Sequence, residues 1–154
     1  MVGGEAVPGK ARNDLLKLNF SSSKNKNALP GFIPLYVGMP VILKGTNISV
    51  DLKLTNGSQG IVHKIYTEID DTGLTHAVCA LVHFPMSTVK LSNLPQGVFP
   101  ITPQKWTFTT CTTSEDGSLT NLRVTRHQLP IQPAFAVTGH AAQGKTLPSV
   151  EVNL

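Results

Sequence analysis

The residues of this 154-residue chain whose types and spacing could do chemistry gather near its C-terminal end, in GHAAQGKT. Gly139, Gly144, Lys145 and Thr146 fit the pattern G-x-x-x-x-G-K-[ST] letter for letter. In a phosphate loop, that spacing sets backbone N–H groups around the phosphates, a lysine against their charge and a hydroxyl on magnesium. Such a loop needs an apolar strand before it and a helix after it. The run PAFAV supplies the strand. The helix is missing, because Pro148 stands two residues past Thr146 and VEVNL reads as strand. No acidic, magnesium-holding strand follows in the sequence, and Asp70 and Asp71 sit in a polar turn. The phosphate-loop reading fails, and these residues need another explanation.

Other constellations are thinner. The serines lie in polar loops without a nucleophile elbow, and neither Cys79 nor Cys111 has a neighbouring activating base. No paired carboxylates stand out among nine acidic residues. The two cysteines show no metal-like spacing with the five histidines, which predicts two buried thiols in a reducing compartment. No catalytic residue and no metal ligand is therefore assigned. A net charge of +4 and a pI near 9.2 give polyanionic partners a slight lead. No run reaches the roughly 18 apolar residues of a membrane span, and MVGGEAVPGKARND lacks the apolar centre of a signal peptide. The expectation is an intracellular chain with no membrane partner.

The elements that must position these residues are short. Residues 1–34 predict one helix over Asn13–Asn19, with Leu15, Leu16 and Leu18 as its apolar side, and then the polar linker SSSKNKN. From Leu35 the pattern changes to runs rich in Val, Ile, Thr and aromatics: MPVILK, QGIVHKIY, THAVCALVHF, KWTFTT and LRVTRHQ. TNGSQG, DDTG and SEDG read as turns between them, with Asn56, Gly57 and Gly60 as turn residues that use glycine for positive φ. Residues 35–130 therefore predict a mainly β fold, a small antiparallel barrel of SH3-like or OB-like size. The stretch LSNLPQGVFPITPQ would cross its surface as an extended loop. Past Pro130, PAFAVT is nearly continuously apolar, as in a strand buried on both faces, and SVEVNL alternates like a second strand. Residues 131–154 are expected to be a truncated α/β segment.

Read without the phosphate-loop template, QLPIQPAFAVTGHAAQGKTLPSVEV resembles motif V of superfamily 1 DNA helicases. The likeness is to the petite-integration-frequency (Pif) and RecD branch and its Helitron-transposon relatives. Their pattern is an apolar strand followed by T-x-H-x-x-Q-G, and Thr138, His140, Gln143 and Gly144 hold those places. A second block, GMPVILKGTNISVDLKLTNGSQGIV, is similar to the family's G-x-x-V-M-L stretch leading to N-G-x-x-G-x-V. Gly38, Val41, Leu43, Asn56, Gly57, Gly60 and Val62 stand at its positions. The blocks occur in the family's order, with an SH3-like insertion between them.

The resemblance implies a RecA-like character for residues 131–154 and single-stranded DNA as partner. Thr138 and His140 would hold a backbone phosphate, and Gln143 and Gly144 would couple the DNA track to the nucleotide cleft. ATP and Mg2+ belong to the whole helicase, between two RecA-like domains, so the first RecA-like domain is the other implied partner. Walker A, Walker B and motif VI are absent from these residues, which predicts no ATP hydrolysis by this chain alone. Two departures stand out: Lys145 replaces a frequent Gln, and Ala141 replaces a frequent Lys. A nuclear location follows from the same resemblance.

Each role has a plainer alternative. Thr138 could cap a helix with His140 packed beside it, and Gly144 could be a helix-end glycine. Lys145 could meet DNA, nucleotide or only solvent. On the barrel, His63, Lys64, Arg123, Arg126 and His127 are basic groups on two predicted strands, with Arg126 taken as a DNA contact. Trp106 is a stacking platform or, as is commoner for a lone Trp, a core residue. For the whole chain, the rivals are an SH3-like protein-interaction module and a non-functional remnant of a mobile-element gene.

Overall fold

The computed structural model describes residues 9–17, 29–71, 73–113 and 119–136. Its elements are one helix, α1 (Gly9–Lys17), and seven strands. The strands are β1 (Pro40–Leu43), β2 (Gln59–Ile69), β3 (Thr75–His83), β4 (Val98–Ile101), β5 (Gln104–Thr113), β6 (Leu119–Gln128) and β7 (Ile131–Pro133). All pairings are antiparallel, so the mainly β expectation holds. A closed barrel does not form among the described residues. β4-β3-β2-β1-β7 make one open five-stranded sheet, and β5 and β6 make a separate two-stranded sheet.

The five predicted runs became β1, β2, β3, β5 and β6; burial alternates along β5 and β6, whereas β1 and β3 bury consecutive residues at their centre or end. β1 lies between β2 and β7, and its Val41, Ile42 and Leu43 are all buried. Met39, Leu54, Val62, Val82, Phe84, Ile101, Leu129 and Ile131 complete most of the core around it. Two strands were not expected. β4 lies in the stretch expected to be a surface loop, pairing Val82 with Phe99 and Ala80 with Ile101. β7 pairs Val41 with Pro133 and Leu43 with Ile131. Each contains a proline and each is at a sheet edge, where a missing N–H costs no ladder hydrogen bond. Residues 134–136, inside the expected buried strand PAFAVT, form no strand, and Phe135 is exposed.

Helix α1 begins four residues earlier than expected, and residue 18 and those after it up to 28 lie outside the described residues. Leu15 and Leu16 are half-buried. β2 and β3 run on past the sheet as a two-stranded arm, pairing Tyr66 with Cys79 and Ile69 with Thr75. At its tip Asp70 Oδ1 accepts the Leu74 N–H at 3.0 Å, and Gly73 has φ 79°. Arg12 reaches this tip from α1, its Nη2 lying 2.6 Å from Asp70 Oδ2. Both side chains are partly solvated, 33% and 24% exposed, so the pair is worth about 1 kcal/mol or less. Arg12→Ala is therefore expected to cost less in urea unfolding than Asp70→Ala, which also strips an acceptor from the turn. Equal losses would contradict that division.

The turn reading divides at Gly60. Asn56 and Gly57 do form a turn: Gly57 has φ 90°, and Asn56 Oδ1 accepts the Gly45 N–H at 2.9 Å. Gly60 is not a turn residue. It lies within β2 opposite Val41, buried and without positive φ. A Cβ there would come 2.6 Å from Val82 Cγ1 and 2.9 Å from the His83 carbonyl oxygen. Glycine at 60 serves close approach between strands.

Candidate nucleic-acid interface

Thr138, His140, Gln143, Gly144 and Lys145 lie outside the described residues, which end here at residue 136. The structure does fix the approach to them. β7 is hydrogen-bonded to β1, the Ala134 N–H donates to the Pro40 carbonyl at 2.9 Å, and Phe135 stacks on Tyr36 with centroids 6.4 Å apart. Residues 131–135 therefore lie beside residues 36–43.

The basic candidates divide by strand parity. In the β5–β6 hairpin, Thr109 pairs with Arg123, Thr107 with Thr125 and Lys105 with His127. Side chains on one face of a strand recur every second residue. Lys105, Arg123 and His127 accordingly share one face and all three are exposed. Threonines separate them, with the Thr107 and Thr125 hydroxyls 3.3 Å apart. This face is polar and basic.

Arg126 lies on the opposite face and is only 7% exposed, so the expectation that it contacts DNA is corrected. Its Nη2 donates to the Leu15 carbonyl at 2.6 Å and its Nη1 to the Leu29 carbonyl at 3.2 Å. The Leu15 oxygen is one of the last-turn carbonyls that α1 leaves without an intrahelical donor. The guanidinium also sits 5.1 Å from the Phe108 ring centroid and 5.8 Å from that of Trp106. Burial lowers its pKa from the ordinary value. A guanidinium remains protonated under such a shift, so Arg126 ties α1 and residue 29 to the hairpin as a cation.

Trp106 is half-buried and stacked on Phe108, with centroids 4.8 Å apart. On β2, His63 and Lys64 are exposed, and Lys64 Nζ lies 4.8 Å from the Tyr66 ring centroid. His63 falls at a register shift, where the pairing moves from Val62 directly to Lys64. Such a bulge re-aims a side chain, and His63 meets His83 at a cavity of about 280 Å³ that Val37 and Ile61 also line. Sequence reasoning missed His83, whose position depends on strand pairing across the sheet.

The expectation of two buried thiols also needs correction. Both cysteines are free, but Cys111 is exposed, its Sγ 3.3 Å from Asn121 Oδ1. Cys79 is half-buried, and desolvation raises its pKa. Cys111 is expected to react first with iodoacetamide at pH 8, because thiolate formation at Cys79 is disfavoured. Peptide mapping that finds Cys79 alkylated first would contradict this. Among the described residues no group of three or more His, Cys, Asp or Glu is placed to hold a metal, and no helix is long and apolar enough to cross a membrane. No protein-family model and no curated protein matches this chain.

Proposed function

We propose that this chain is part of a Pif/RecD-type superfamily 1 DNA helicase, comprising an SH3-like insertion and motif V of the second RecA-like domain. Its share of ATP-driven translocation is to hold single-stranded DNA and to relay nucleotide state, in a nuclear setting. Thr138 and His140 take a backbone phosphate, since a hydroxyl and an imidazole N–H suit that ligand. Gln143 and Gly144 connect this contact to the nucleotide cleft, and Lys145 adds charge to it. ATP and magnesium sit between this part and the first RecA-like domain.

One observation carries the reading. Two sequence blocks with the family's residues, in the family's order, are separated by some seventy residues. The β1–β7 pairing joins the start of one directly to the approach of the other. An SH3-like assignment for the insertion draws support only from its antiparallel pairing.

The experiment is a titration of fluorescent oligothymidylate at several salt concentrations. Binding should weaken with a logarithmic slope of about −0.7 per phosphate neutralised. No binding at low salt by the folded chain would favour instead a protein-interaction module that takes its partner at an open sheet edge.

A further inference from the structure

The β5–β6 ribbon is a sheet of its own, and its two faces differ in chemistry. Each strand is 10 residues long, and neither pairs with any other strand among the described residues. One face is turned to the protein, and Phe108, Val124 and Arg126 are buried on it. By strand parity the outer face carries Lys105, Thr109, Asn121, Arg123 and His127, all exposed, around the half-buried Thr107 and Thr125. No Asp, Glu, Phe, Tyr or Trp stands among the described positions of that face. Among the described residues, no ion pair engages Lys105, Arg123 or His127. In sequence, Glu115 and Asp116 fall in the connection at the end opposite Lys105 and His127, outside the described residues.

We infer that this outer face binds duplex DNA, the ribbon lying in the major groove with Asn121 and Arg123 toward base edges and Lys105 and His127 toward phosphates. Three basic side chains with no carboxylate beside them complement a polyanion. Which polyanion follows from the rest of the face. Unpaired bases are taken up by stacking on aromatic rings, and Trp106 and Phe108 belong to the ribbon's other face. The outer face offers hydrogen bonds instead. Arginine and lysine suit guanine, asparagine suits adenine, and threonine suits either, all at edges that paired bases present in the major groove. That groove is about 12 Å wide and admits a two-stranded ribbon, whose strands lie about 4.8 Å apart. An A-form RNA duplex has a deep, narrow major groove that side chains cannot read, so the duplex is DNA. This inference goes beyond the single-strand contact proposed above and uses none of its residues.

The test is the anisotropy of a labelled blunt DNA duplex of about two helical turns, roughly 20 base pairs, titrated with the full chain at low salt. Binding is expected. Lys105→Glu/Arg123→Glu should weaken it by about tenfold or more, while Lys90→Glu, at an exposed position outside the ribbon, should change it less than about twofold. Methyl green, which occupies the major groove, should displace the chain, and netropsin, which occupies the minor groove, should not. Thr138→Ala/His140→Ala should bind the duplex as the parent chain does. Circular dichroism establishes that each variant is folded. No duplex binding by the folded chain, or binding that Lys105→Glu/Arg123→Glu leaves unchanged, overturns the inference. Displacement by netropsin but not by methyl green overturns it too. If Lys105→Glu/Arg123→Glu lowered oligothymidylate affinity as much as duplex affinity, the face would be a single-strand site and the duplex assignment would fall. Oligothymidylate binding that ignores Thr138→Ala/His140→Ala, with duplex binding as expected, overturns the motif V reading and leaves the ribbon standing.

Discussion

Arg126→Ala is expected to lower the stability of the protein by about 2–4 kcal/mol in urea unfolding. The substitution removes the donor from two backbone carbonyls, those of Leu15 and Leu29, and a cation from beside two aromatic rings. An acceptor left unsatisfied in a buried place costs about 1–3 kcal/mol. Cation–π contacts add about 0.5–2 kcal/mol. Arg126→Lys should recover only part of the loss, because a single ammonium cannot reproduce a planar fork that reaches two carbonyls at once. The signature is therefore in folding. An Arg126→Ala chain with an unchanged urea midpoint and weakened oligothymidylate binding would restore the phosphate role and contradict the structural one.

Gly60→Val is expected to cost about 3 kcal/mol or more, and Gly60→Ala about 1–3 kcal/mol. The added Cβ would meet Val82 Cγ1, which can rotate, and the His83 carbonyl, which cannot move without parting β2 from β3. Phe84 Cδ1, at 3.0 Å, closes the third side. Valine puts two further methyl groups into the same space. Gly73→Ala makes a useful comparison, because Gly73 has φ 79° and a Cβ there would meet nothing within 4 Å, so a side chain costs about 1–2 kcal/mol through backbone strain alone. If Gly60→Ala left the urea midpoint where it is, close strand approach would not be the reason for glycine at 60.

These two positions show what could and could not be read from sequence. Strand runs were legible where side-chain period showed, as in the paired β5 and β6, and turn chemistry was legible at Asn56–Gly57, while the SEDG turn lies outside the described residues. β4 and β7 were hidden by Pro100 and Pro133, which argue against a central strand but are harmless at an edge. Gly60 was hidden because glycine signals a turn more loudly than it signals a tight interstrand contact. Arg126 was open to a better reading: it is three residues from Arg123, so strand parity puts them on opposite faces. It shares its face with Val124, which is buried, whereas Arg123 shares its own with His127.

The measurement that tests the helicase reading most directly is the affinity of the folded chain for oligothymidylate, compared with that of Thr138→Ala/His140→Ala, at two salt concentrations. The account predicts binding that falls with salt and is weakened in the double variant, with a shallower salt dependence because a phosphate contact has been removed. Equal affinity and equal salt dependence in the two chains would contradict it.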